Sequence, residues 1–331
     1  MAAIDHNDSG IPLARTLPPP SSSRARKNLQ YLKENWLLFV LGGPGLIFIL
    51  LFNYLPLMGN VIAFQDYSPR TLFASPWVGF RNFRLLTETP IARRLIVNTL
   101  GLNILFIAAE TFCGVTLALF LNEVKGKYFR RIAQSFMFLP YFMGWTVVAM
   151  VLFGFIDYQV GTINAVLARL GMERVALTTQ PAIWPLLLTL IRVWKNAGAS
   201  CIIYLAALTS IDASLYEAAA VDGASRWQRM RFISLPALTG IVILLMLLAI
   251  GKIFYGDVGM IYALIGSQAQ LYPTTDVIDT YLLRALQVNS NYGFSAAIGL
   301  LQSFLGLLCV FGSNWLAKKF SQRQGEEYGL F

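Results

Sequence analysis

An all-α, polytopic membrane fold of six transmembrane helices is what this sequence predicts, on three observations. Of 331 residues, 56% are hydrophobic and only 13% are charged, about half the charge of a soluble domain. The apolar residues gather into runs long enough to cross a bilayer, which takes about 20 helical residues. The 26 Lys and Arg residues lie mostly between those runs, as in a chain oriented by positive charge on one side of a membrane. The net charge of +9 is therefore assigned to membrane topology, and no nucleic-acid partner is expected.

Taken in order, residues 1–34 read as a disordered, basic tail. Pro18-Pro19-Pro20-Ser21-Ser22-Ser23 cannot build a core, and Arg24, Arg26, Lys27 and Lys33 lead towards lipid headgroups. Residues 35–317 form the transmembrane domain. The first span runs from Trp36 to about Phe64, with kinks expected at Gly42-Gly43-Pro44-Gly45 and Pro56. The second covers about Ile96–Leu121, and a basic turn, Lys125 to Arg131, leads to the third, about Ile132–Ile156. A loop with a short helix near Val166 precedes the fourth span, about Ala182–Leu208. The fifth covers about Ala237–Tyr255 and the sixth about Tyr292–Trp315. Residues 318–331 form a second tail. With both termini placed inside, inner segments carry fifteen Lys and Arg, outer loops eight, and the spans three. The asymmetry predicts cytoplasmic termini. Arg70, Arg81, Arg84, Arg93 and Arg94 make the first outer loop an exception.

Between the fourth and fifth spans, residues 210–236 form a polar hairpin. Ser214 to Val221 reads as a helix capped by Ser214, with Glu217 in its first turn, and Gly223 breaks it. A second helix, Ser225 to Phe232, carries Arg226, Arg229 and Arg231, and Pro236 opens the next apolar run. The alanines Ala218 and Ala219 keep the surface shallow enough for another protein to come close.

The fourth span carries Arg192, Lys195 and Asn196 on one helix face, too deep to snorkel, at roughly 2.5–3.5 kcal/mol for each charge at the bilayer centre. Glu110 lies at similar depth in the second span. A Glu110 pair with Arg192 or Lys195 and a water-filled path are both open readings. Lys252, Tyr255 and Asp257 form a further polar group at the end of the fifth span. A path lined by these groups suits a hydroxyl-rich or anionic cargo, with Tyr141, Trp145, Trp194, Tyr255 and Tyr262 as candidate stacking surfaces or as interfacial aromatics. Gln302, Ser303 and Asn314 are candidate interhelical hydrogen-bonding groups.

Catalysis finds no support. His6 is the only histidine, and Cys113, Cys201 and Cys309 stand in separate apolar runs, so neither a zinc site nor a disulfide framework is expected. No signal peptide is expected either.

The spacing Glu217-Ala218-Ala219-x3-Gly223-x9-Ile233-x-Leu235-Pro236 resembles the cytoplasmic loop of ATP-binding-cassette importer permeases. Trp77-Val78-Gly79-Phe80-Arg81-Asn82-Phe83 and Asn98-Thr99-Leu100 resemble the sugar-type members. Asn53-Tyr54-Leu55-Pro56-Leu57-Met58-Gly59, Ile62-Ala63-Phe64-Gln65-Asp66-Tyr67 and the run Leu271 to Tyr281 resemble the branch that imports fragments of polysaccharides. Within that branch the chain is similar to the larger membrane subunit of bacterial alginate importers, and the same motifs occur in permeases for rhamnogalacturonan or aldouronate fragments. The resemblance implies a type I importer permease fold in the bacterial inner membrane. It implies a second permease in a heterodimer, two ATPase subunits and a periplasmic solute-binding protein. This chain is then no enzyme and holds no cofactor: ATP and Mg²⁺ bind the ATPases. Glu217, Ala218, Ala219, Asp222, Gly223, Leu235 and Pro236 would couple to the ATPase. Alternating access would carry the cargo past Arg192, Lys195, Asn196, Lys252, Tyr255 and Glu110. The competing expectations are an importer of a neutral oligosaccharide or glycerol phosphate, an ATPase-independent channel or transporter, and a membrane-embedded enzyme.

Overall fold

In the computed structural model the described residues are 31, 33–88, 91–124 and 126–324. Most of the 1–34 tail, Lys125 and the end of the second tail lie outside them. The chain divides into two units, Met1–Gly59 and Asn60–Phe331. Among the described residues the fold is helical, and the one extended pairing is an isolated bridge between Gln65 and Trp77.

The first apolar run is helical from Trp36 to Phe64. It begins as α1 (Trp36–Ile49) and continues through Pro44. The change of winding comes later, at a π-turn over Leu50–Tyr54 followed by a 3₁₀ stretch to Phe64. Pro56 has no N–H and its ring crowds the preceding turn. Widening that turn, so that the Leu55 N–H donates to the Leu50 carbonyl, relieves the crowding.

Short α2 (Arg81–Glu88) leads to α3 (Ala92–Glu123), the second span, longer at both ends than its apolar run. The fourth span is α7 (Trp184–Thr209), entered through a 3₁₀ turn at Pro181–Ile183, and the sixth is α13 (Tyr292–Gln324). The loop helix expected near Val166 is α6 (Thr162–Arg169).

The third and fifth spans are not single rods. The third consists of α4 (Lys127–Phe138), a 3₁₀ turn Leu139–Phe142, and α5 (Trp145–Ile156), with a bend of 100° between the two parts. Pro140 and an extended Gly144 (φ −65°, ψ 149°) end one helix and start the next. The fifth starts well before Ala237. Helix α9 (Arg226–Arg229) runs through a π-turn, Met230–Ser234, and the turn Leu235–Ala237, then bends by 51° into α10 (Thr239–Ile250). Pro236 thus lies inside a helical run, and the Leu235 N–H donates to the Met230 carbonyl, the same accommodation made before Pro56. Helix α10 ends at Ile250, short of the expected Tyr255. Residues 251–257 are irregular before α11 (Val258–Ile265), and α12 (Ile278–Asn289) follows.

Two apolar clusters flank a polar level. One joins Leu102 and Phe106 of α3, Val148 and Ile156 of α5, Trp184–Ile191 of α7 and Met260–Ile265 of α11. The other joins Ala118–Leu121 of α3 and Cys201–Leu208 of α7 to Met230 and Leu238. Glu110, Arg192, Lys195 and Asn196 fall between them in sequence on both helices. Close helix approach there rests on glycine. A Cβ on Gly198 would lie 2.0 Å from the Met137 carbonyl oxygen, so α4 touches the backbone of α7.

Gly198→Ala is therefore expected to lower stability by about 1–3 kcal/mol, because a backbone carbonyl cannot swing away. Gly154→Ala, with nothing within 4 Å of the added carbon, should be neutral or stabilising by up to about 1 kcal/mol. Thermal unfolding of the two variants in detergent separates these outcomes.

Candidate functional site

The polar hairpin is a closed unit. Helix α8 (Ala213–Val221) is capped by Asp212, not by Ser214 as the sequence suggested: Asp212 Oδ1 accepts from the Ser214 N–H at 2.9 Å. Helix numbering moves accordingly, and Glu217 lies in the second turn. The Ser214 N–H holds the Asp212 carboxyl below its ordinary range, so the cap is complete at neutral pH and fails only as pH falls through that lowered value. At the other end Gly223 takes φ +79°. The Ala224 N–H reaches the Ala219 carbonyl at 2.9 Å and the Gly223 N–H the Ala220 carbonyl at 3.2 Å, the paired bonds of a Schellman cap. Ser225 and Gln228 then form a reciprocal capping box. The Tyr216 hydroxyl meets that of buried Ser234 at 2.9 Å. Glu217, Ala218, Asp222, Gly223, Leu235 and Pro236 are exposed and Ala219 is half-buried. The hairpin offers a shallow, rigid face and is continuous with the fifth span.

The second site lies at the polar level. Arg192 Nε donates to Glu110 Oε1 at 2.9 Å, and its Nη1 donates to Asp257 Oδ2 at 3.2 Å. The guanidinium also lies over the Phe106 ring. Asn196 Nδ2 donates to the same Glu110 oxygen at 3.0 Å. Asp257 caps α11 through the Met260 N–H. Lys195, 7% exposed, is paired otherwise. Its Nζ donates to the Tyr141 carbonyl at 2.8 Å and lies 5.3 and 5.1 Å from the ring centroids of Tyr141 and Trp145. The ammonium thus meets a carbonyl and two aromatic faces at the break in the third span. Of the two cations of α7, only Arg192 meets carboxylates. Trp194 borders an apolar cleft of about 450 Å³ with Phe112 and Phe136. Lys252, Tyr255 and Tyr262 are exposed, and the Tyr255 hydroxyl meets Ser303 Oγ at 2.7 Å.

Residues 110–324 match the family described as binding-protein-dependent transport system inner membrane component. The chain belongs to this family. This permease is 36% identical over 301 residues to the Bacillus subtilis (strain 168) polygalacturonan/rhamnogalacturonan transport system permease protein YteP, covering 90% of this chain and 92% of YteP. Its fold matches the crystal structure of a bacterial ABC transporter involved in the import of the acidic polysaccharide alginate (TM-score 0.80, 33% identity, 88% of this chain and 98% of that one). It matches a second structure, of an alginate ABC transporter in complex with an alginate pentasaccharide-bound periplasmic protein, almost as well (TM-score 0.78, 32% identity, 88% and 97%). The six helical runs are accordingly the membrane helices of a multi-pass inner-membrane permease of ABC-importer type.

The loop motifs around Trp77–Phe83 and Leu271–Tyr281 are held by contacts with the spans. Asn82 is buried and its Nδ2 donates to the carbonyls of Ala63 and Gln65. Trp77 stacks on Phe64, and Gly293 admits this corner against the sixth span, since a Cβ there would lie 2.7 Å from the Gln65 carbonyl. Asn98 Nδ2 donates to the Asp276 carbonyl at 3.0 Å, and Thr99 Oγ1 accepts the Ile278 N–H at 3.0 Å. Buried Asp276 takes two 2.7 Å bonds from Arg284, with Arg94 at 3.7 Å. Of the five arginines of the first loop, Arg94 and Arg81, the latter 3.9 Å from Asp66, thereby have an acidic partner. Asn103, which belongs to no motif of the sequence, donates its Nδ2 hydrogens to the carbonyls of Ile253 and Tyr255 at 2.9 and 3.0 Å. Its spacing of seven from Glu110 puts both on one face of α3.

Because Arg192 serves two carboxylates, Arg192→Met is expected to cost about 3–5 kcal/mol. Glu110→Gln keeps the Asp257 pair and should cost about 1–2 kcal/mol. Unfolding midpoints of the purified variants test this; equal losses would show that Asp257 takes no share.

Proposed function

We propose that this permease is one of two membrane subunits of an ATP-driven importer that moves a uronate-containing oligosaccharide into the bacterial cytoplasm from a periplasmic binding protein. The observation that carries the reading is the hairpin. Both of its helices are capped, it exposes Glu217, Ala218 and Gly223, and it runs through the Met230–Ser234 π-turn and a 51° bend into the fifth span. A rigid tab of this kind suits transmission of a push from an ATPase, which would hold the ATP and Mg²⁺. In this reading both termini are cytoplasmic, residues 1–34 and 318–331 flank the 35–317 permease domain, and the polar level lines the way through. Similarity to alginate and polygalacturonan permeases, whose cargoes are acidic polymers, supports the cargo class.

Gly223 offers a sharp test. At φ +79° a β-branched residue is strained while Asn is tolerated. In the reconstituted complex, Gly223→Val should reduce cargo uptake roughly tenfold, the equivalent of 1.4 kcal/mol, with basal ATP hydrolysis retained, and Gly223→Asn should keep most uptake. A cysteine at Ala219 should cross-link to the ATPase subunit. Unimpaired uptake in Gly223→Val together with no cross-link would remove the hairpin from the mechanism.

A further inference from the structure

The three cations of the spans are not equivalent. Arg192 is shared by Glu110 and Asp257, and Lys195 by a carbonyl and two rings. Lys252 is exposed, and among the described residues it has no ion pair or side-chain hydrogen bond.

Its depth follows from the sixth span. Gly306 is the midpoint of the candidate span Tyr292–Lys319, and a Cβ placed on it would lie 2.8 Å from the Gly251 carbonyl oxygen. Lys252 is the next residue, and the Tyr255–Ser303 hydroxyl pair fixes the segment to the same level. Lys252 therefore packs beside the middle of the sixth span, well away from either end of that helix. A charge at that depth faces a water-filled path or a partner.

The backbone around it is irregular. Between α10 and α11 the carbonyls of Ile253 and Tyr255 are taken by Asn103, and that of Phe254 by Gln302 at 2.7 Å. Asp279 Oδ2 takes the Gly256 N–H and a second bond from Gln302. Non-helical backbone at membrane depth survives where it is buried in protein or borders a water-filled cavity, and broken helices at the midplane are where transporters hold cargo. The carboxylates that follow in sequence, Asp257, Asp276 and Asp279, bond to other groups, and none of them forms an ion pair with Lys252.

We propose that Lys252 is the residue of this permease that reads a cargo carboxylate during passage, whereas Arg192 and Lys195 are scaffold. The inference rests on the importer reading above and assigns its acid specificity to one side chain. The test uses the complete complex in proteoliposomes, with its binding protein, and two probes: a uronate tetrasaccharide and its carboxyl-reduced, neutral counterpart. Lys252→Met should lower uptake of the uronate about tenfold or more and leave the neutral sugar within about twofold of wild type. Lys252→Arg should restore most uronate uptake. Equal loss for both sugars, or loss of the partner subunits on purification, would overturn the assignment by making Lys252 structural. Unimpaired uronate uptake in Lys252→Met would overturn it while leaving the importer reading intact. A wild-type complex that moves only the neutral sugar would overturn the cargo class and the assignment with it.

Discussion

A single arginine inside the membrane ties the permease together. Arg192 joins Glu110 of the second span to Asp257, which caps the helix following the fifth, with bonds of 2.9 and 3.2 Å. Removed from water, each of these charges is costly, and together they are tolerable only because they meet. The level they form separates two apolar clusters that would otherwise merge into one uniform core. Apolar side chains do not prescribe how far one helix slides along another. A charged pair with fixed bond directions does, so register between the second, fourth and fifth spans is set here.

The broken helices follow from the same logic. A helix interrupted within a bilayer leaves carbonyls that lipid cannot satisfy. In the third span Lys195 supplies the donor, and Gly198 lets the broken end come close enough to reach it. After the fifth span, Asn103 and Gln302 supply the donors. The polar side chains of the spans are therefore mostly committed to holding irregular backbone in place. The polar hairpin is held as firmly. The Tyr216–Ser234 contact, with Met230 and Leu238 packed among Leu205, Leu208 and Tyr204, joins it to the adjoining ends of the second and fourth spans.

Much of this was legible beforehand. Apolar run length found the six spans, the hairpin motif found the exposed tab, and the spacing of Arg192, Lys195 and Asn196 put them on one face with Glu110 in reach. The cap at Asp212 was misread because Asp212 and Ser214 are both good N-cap residues two positions apart, and propensity does not rank them. The bend in the third span was missed because Pro140 and Gly144 each interrupt a helix without saying by what angle. The pairing of Asn98 and Thr99 with the Asp276–Ile278 backbone joins residues almost 180 positions apart, where no local pattern operates.

What the sequence determined by itself is therefore whatever depends on composition and short spacing: a membrane chain of long apolar helices, an exposed polar hairpin between two of them and a deep polar face. Tertiary structure alone decided which charge meets which. Arg192 and Lys195 read alike along the chain. One is matched by two carboxylates and the other by the Tyr141 carbonyl and two rings, because helix packing, not sequence distance, sets the electrostatic environment within the spans.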